Sequence, residues 1–540
     1  MKPVIKHILA LMPLAAMLGS CNDSYLDQFP ETSITETVFF NTASDLETYT
    51  NGLYGNFGSG SYLDDACDNL ISTESSSRYN LMLGQVDQDR IGNWSWSSIR
   101  SVNFMLARCG NVTGDEGEIR HYIGLARLIR AKLYYDMVKS YSDVPWYSRD
   151  LSTTDTEELY KTQDPRSLVV DSIMADLDYA VTNMMDGSSK TKIYRQAAIA
   201  MQARIALHEG TFRKYHPELN LSDGDRFLNI AVEASSKLMN NYGYTLSTAS
   251  YKGLDAYESL FVTPDLTGNP EMIMVSDYDK VLNRRNNAQS IYAYYGITRS
   301  LVEDYLVIDG NTTKRFQDIP GHETMTLNEI FANRDPRMRQ TVMYPGFIDV
   351  RNNEPYIVDV TKTGYMQSKF LPREADQYGW GMSYNDIPIL RFAEQLLIYA
   401  EAKAELGTLT QDDLDRSINL LRRRAGMPDA QLSQWLSDID PVQAARYPNV
   451  NSSQRGAVLE VRRERRIELA CEGFRYGDLF RWCAGHLMEQ TPEGMYVPGP
   501  GLYDYTGDGE PDFGFFMSEQ QRDEMYPPSS IQGKKLTIYI

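Results

Sequence analysis

A closely spaced set of helical signals between Asn385 and Trp482 constrains this chain more than any other feature. In Arg391–Leu406, Ala393, Leu397, Ala400 and Ala404 recur at three- and four-residue spacing. Glu394, Glu401 and Glu405 fall elsewhere, and Gly407 stops the pattern, which predicts an amphipathic helix. Asp412–Arg424 places Leu414, Ile418 and Leu421 on one face and runs into Gly426 with Pro428 just beyond, so the two segments predict a helical hairpin. A third helix starts near Ser453 and is crowded with charge from Glu460 to Glu468. Read alone, it is a solvated face laced with i,i+3 pairs such as Glu460 with Arg463 and Arg465 with Glu468.

The same periodicity predicts helices over Ala43–Phe57, Trp96–Arg108, Glu116–Val138, Ser167–Met185, Tyr194–Gly210 and Arg226–Asn241. It is lost between Thr245 and Trp380. There Gly and Pro recur at short intervals around strand-like runs such as Met272–Val275, while frequent aromatics argue against disorder. Such a stretch suits loops that touch a ligand. No Pro-rich or Gly/Ser-rich linker divides residues 21–540, which therefore read as one domain. Within it lie a helical part over about 40–242, an irregular part over about 245–380, and a helical part with a tail over about 385–540.

At the start, Lys2 and Lys6 precede an apolar run from Ile8 to Leu18 that is too short to span a bilayer, so residues 1–20 read as a secretory signal. Leu18-Gly19-Ser20-Cys21 resembles a bacterial lipoprotein cleavage box, which makes Cys21 the lipidated first residue of an anchored, non-spanning protein. The formal net charge of −20 and a pI near 4.9 argue against nucleic acid or an anionic headgroup surface as partner. Cys67, Cys109, Cys471 and Cys483 form no CxxC pair, and their spacing leaves free thiols and bridges equally open.

The run ERRIELACEGFRYGDLFRW, following RFAEQLLIYAEAKAELG and INLLRRRAGMP, resembles the SusD/RagB family of outer-membrane nutrient-binding lipoproteins. GLARLIRAKLYYDMVKSYSDVPW is similar to that family's other recognisable block. The resemblance implies a mainly α fold in which tetratricopeptide-like helical pairs form a scaffold beneath a large layer of irregular loops and short strands. It also implies that parts of the charged third helix pack against that scaffold. The function it implies is capture of an oligosaccharide at the outer membrane, facing the cell exterior, and delivery to a SusC-like TonB-dependent transporter. Peptide uptake of the RagB type is the runner-up, followed by a surface glycosidase.

A sugar ring offers an apolar C–H face ringed by hydroxyls, so its receptor needs aromatic plates beside amide, carboxylate or guanidinium groups. Two stretches have that mixture: Asn69, Arg78, Trp94 and Trp96 before the second helix, and Arg284–Gln289 with Tyr292, Tyr294 and Tyr295 in the irregular part. Trp380, between two glycines, is a further candidate. Both stretches also fit a core role, with the Trp pair packed under a helix and the Tyr run in a half-buried strand. Asp504, Thr506, Asp508, Glu510 and Asp512 follow the spacing of a calcium loop in outline, yet Phe515 stands where a bidentate Glu belongs, and an acidic surface turn explains the same pattern. HExxH, GxSxG and GxxxxGK[ST] are absent, so no enzyme is predicted and no cofactor is required.

Overall fold

The computed structural model describes residues 39–65, 67–72, 80, 81, 83–85, 94–291, 295–356, 362–531 and 536–539. Thr42 and Asp45 form a capping box that starts α1 (Ala43–Asn51). The helix expected to reach Phe57 ends at Gly52, after which Tyr54–Phe57 make a tighter 3₁₀ turn. Next come α2 (Ser97–Leu106), α3 (Glu116–Tyr141), α4 (Arg166–Asn183), α5 (Arg195–Tyr215) and α6 (Gly224–Asn241). Helix α3 packs on α4 and α5 on α6, forming antiparallel pairs. Gly210 and Gly224 sit at the α5–α6 crossing, where a Cβ on either would lie within 3 Å of the other's carbonyl oxygen. Leu125, Tyr134, Ile199 and Phe227 belong to the core these pairs enclose.

The C-terminal part contributes α7 (Phe392–Glu405), α8 (Ile418–Ala425), α9 (Arg455–Glu468) and α10 (Arg475–Arg481). Helix α7 lies against both α6 and α9. Gly426 ends α8 in the left-handed region, as its Gly-then-Pro signal predicts. The single helix expected over Asp412–Arg424 is broken. Gln411–Asp415 forms one turn, Ser417 leaves helical geometry, and its hydroxyl donates to the Asp413 carbonyl.

Strands are short; besides two small hairpins, Val307–Asp309 with Thr312–Lys314 and Ile348–Asp349 with Glu354–Pro355, they are β1 (Leu70–Ser72), β2 (Met272–Ser276), β3 (Tyr295–Ile297), β4 (Ile387–Arg391), β5 (Gly501–Tyr503), β6 (Phe513–Phe515) and β7 (Thr537–Tyr539). β1 pairs with β3, β2 pairs with β4, and β6 lies between β5 and β7. The irregular part has its own apolar core, including Tyr257, Phe261, Met272, Phe347 and Phe370, which explains how so long a non-helical stretch is held. The expected mainly α scaffold with a short-strand layer is what the structure shows.

Helix α9 overturns the solvated reading of its charges. Arg462, Arg463, Glu464, Arg465, Arg466 and Glu468 are all buried. Glu460 does pair with Arg463, but Arg465 turns to Asp478 at 2.8 Å. Arg466 reaches Asp304 and Asp68, and Glu468 receives Arg337, Arg391 and Arg424. The charges are buried because neighbouring elements bring complementary partners to them, the condition under which a charge tolerates loss of water. The four cysteines Cys67, Cys109, Cys471 and Cys483 are free thiols.

Candidate ligand-binding site

The β1–β3 ladder joins one short segment from each of the two stretches. Leu70 pairs with Ile297, Ile71 with Gly296 and Ser72 with Tyr295, so the chain leaving Ser72 and the chain entering Tyr295 share one end of the ladder. Tyr295 is half-buried there. Arg78, Tyr292 and Tyr294 lie outside the described residues, as does Cys21. Asn69, expected to face a ligand, is 1 % exposed. Its amide nitrogen donates to Asp64 and its oxygen accepts from Arg466 Nε, each at 2.8 Å, so it locks β1 to α9.

Trp94 and Trp96 are half-buried at the entrance to α2. Trp96 meets Tyr147 edge-on with ring centres 5.1 Å apart and leans on Tyr134, while Trp94 leans on Tyr141. Both therefore contribute to helix packing. Trp96 also lines a cavity of about 170 Å³ with Ile99, Asp150 and Leu159.

Trp380 is different, with 74 % of its surface exposed. Its turn is nonetheless pinned. Gly381, with φ +64°, donates its N–H to Asn287 Oδ1 at 2.6 Å, and a Cβ on Gly379 would come within 2.7 Å of Met382. The Asn286 N–H donates to the Ser383 carbonyl, and the Ser383 hydroxyl donates to Gln289. Asn286, Asn287 and Gln289 thus clamp the Trp380 turn to the segment that runs into β3. Arg285 is tied down as well, donating to the Met382 and Lys280 carbonyls beside the Tyr384 ring. Val281, Leu282 and Met382 are exposed on the same pair of loops, a feature sequence reasoning missed. Its only signal was two apolar residues at a turn, before Asn283 at φ +54°.

In the acidic loop, Asp504 accepts the N–H groups of Gly507 and Gly509, and Asp512 accepts those of Tyr505 and Thr506 together with the Thr506 hydroxyl. Asp508 accepts from the Glu510 N–H. These carboxylates accept the N–H groups of the β5–β6 turn. Among the described residues, no group of three or more His, Cys, Asp or Glu gathers as metal ligands do.

The SusD family model matches residues 263–535, just over half of the 540 residues. A second, described as starch-binding associating with outer membrane, matches residues 24–207. The chain belongs to the SusD family. It is 23 % identical to SusD-like protein P2 of Formosa agariphila over 511 residues, covering 89 % of this chain and 91 % of that one. Its fold is similar to a SusD-like carbohydrate-binding protein of Bacteroides fragilis, with a TM-score of 0.65, 20 % identity and coverage of 85 % and 90 % of the two chains. It is also similar to a laminarin-binding SusD-like protein, with a TM-score of 0.57, 17 % identity and coverage of 83 % and 93 %. Among the described residues no helix is long and apolar enough to cross a membrane.

Proposed function

We propose that this chain binds an oligosaccharide at the outer membrane, tethered through a lipid on Cys21, and passes it without chemical change to a SusC-like TonB-dependent transporter. The observation that carries the reading is Trp380: a largely exposed indole on a turn pinned by Asn287 and Ser383. A flat apolar plate that is already ordered stacks on a sugar ring with little further entropy cost. Arg285 and Tyr384 stand beside the same turn. Carbohydrate binding by relatives of the same fold supports the choice of ligand class.

The test is binding of the purified protein to panels of polysaccharides and oligopeptides, with Trp380→Ala alongside. Saturable polysaccharide binding that leaves the saccharide uncleaved and is lost in the variant supports the reading. Binding of peptides alone would replace it with peptide uptake, and cleavage of the bound saccharide with a hydrolase.

A further inference from the structure

A second cavity, of about 290 Å³, lies away from Trp380, beneath the Phe57–Ser61 loop and between α3, α5, α7 and α10. Gly58 and Ser59 on its rim are exposed, so it opens to solvent. Six Lys and Arg side chains and four carboxylates line it, and behind the wall Glu401 also pairs with Arg481 and Arg465, and Glu271 and Glu468 with Arg391. The four carboxylates are engaged. Glu394 holds Arg204, Glu472 holds Arg391 and Lys369, and Asp478 holds Arg465 and Arg481. Asp136 alone serves both Lys132, at 2.5 Å, and Lys139, at 3.0 Å.

Donor capacity is left over in the wall. Arg465 is 3 % exposed, and its Nη1 has no hydrogen-bond partner among the described residues. The buried His208, kept neutral by burial, leaves one N–H donor and one acceptor nitrogen without a partner among the described residues. Among the described residues, Arg204 Nη1 donates only to the Met201 sulfur, 3.8 Å away. Other arginines of the core also leave a nitrogen unpaired, but Arg465 and His208 do so on the wall of a solvent-connected cavity. A buried donor without a partner costs free energy that a bound acceptor recovers.

The geometry points to a binding site for a small oxyanion, held by Arg465, Arg204 and the Lys132–Lys139 pair with His208 behind them. A guanidinium fork beside ammonium groups is the donor set that suits sulfate, phosphate or carboxylate oxygens. Both a free inorganic ion and an acidic group on a saccharide have that chemistry.

Calorimetric titration at constant ionic strength tests it, with sodium sulfate, sodium phosphate and glucuronate in separate runs and chloride as background. One-site binding is expected, weakened about tenfold or more by Lys132→Gln combined with Lys139→Gln, both partly exposed and expected to fold. Arg465→Lys keeps the charge but loses the fork, and should weaken binding as well. Should that variant fail to fold by circular dichroism, the lysine pair decides. Binding of glucuronate alone assigns the site to a saccharide carboxylate, and binding of sulfate or phosphate to a free ion. No saturable heat with any of the three up to about 10 mM, or binding unchanged in the double lysine variant, overturns the proposal.

Discussion

Arg391 and Glu468, 77 residues apart in the chain, meet at 2.8 Å in a buried ion pair. The same glutamate receives Arg424 and Arg337, and the same arginine reaches Glu271 and Glu472. Burial by itself would raise the Glu468 carboxyl, but the three guanidinium groups outweigh it and hold the group well below the ordinary carboxylate range. The network joins β2, β4, α8 and α9. Removing one member strands the others as uncompensated buried charges.

Arg391→Met is therefore expected to cost about 3–5 kcal/mol. Arg120→Ala, which breaks an exposed i,i+4 pair with Glu116, should cost no more than about 0.5 kcal/mol. Urea unfolding of the two variants beside the parent measures the contrast. An Arg391→Met midpoint matching that of Arg120→Ala would show the network to be energetically idle.

Asp68 accepts Arg475 Nε at 2.7 Å and Arg466 Nη2 at 3.1 Å, and these cations overcome the upward push of burial to hold it below its usual value. Asp304 is held low against burial in the same way by Arg446 and Arg466. A carboxylate lowered in the folded state adds stability above its unfolded pKa of about 4, and that stability is lost as pH falls below it. Thermal midpoints should thus be steady down to about pH 5 and drop steeply beneath. Asp68→Asn should lower the midpoint at neutral pH and flatten the acid limb; an unchanged limb would remove Asp68 from the account.

Asp386 titrates the other way. Burial, assisted by Asp277 and Asp265, outweighs the N–H groups of Leu266 and Tyr278 and pushes it up to about 7. A carboxyl raised on folding stabilises fully below its unfolded pKa of about 4, and the contribution is lost as pH rises through 7. Asp386→Asn cannot ionise, so its midpoint should change less than the parent's between about pH 5 and 8. Parallel profiles across that range would count against the assignment.

Trp380→Ala and Trp96→Ala should separate binding from packing. The first removes a side chain 74 % exposed, so stability should stay within about 0.5 kcal/mol while saccharide affinity falls about tenfold or more. The second removes a ring packed on Tyr134 and Tyr147 and is expected to cost about 2–4 kcal/mol. Denaturation and binding isotherms on both variants decide it. Equal affinity in the parent and Trp380→Ala would move the site elsewhere.

Asp512→Ala deprives the Tyr505 and Thr506 N–H groups of their acceptor and should destabilise the chain by about 1–3 kcal/mol. With the loop's carboxylates engaged by its own backbone, calcium or a chelator should leave the melting temperature unmoved. A rise on adding calcium, lost in Asp512→Ala, would show instead that the loop rearranges around the ion.

The sequence by itself determined where most of the helices lie and the family, though not every helix end, as the breaks at Gly52 and Ser417 show. Ala and Leu spacing along α7 and the Gly426 stop of α8 are local signals set by backbone and side-chain geometry within a few turns. Trp380 was also legible as a candidate, because a large aromatic between two glycines on a turn has little local reason to be buried. What the sequence could not separate was charge in water from charge in the core. Asn69 looked like a ligand contact and Arg466 like a solvated helix face, yet the two meet across 397 residues, and Arg466 also meets Asp68 and Asp304, 398 and 162 residues back in the chain. Whether a polar side chain is spare depends on which acceptors surround it after folding, and a one-dimensional pattern carries no record of that. The tertiary structure alone decided it, by bringing complementary charges close enough to replace water.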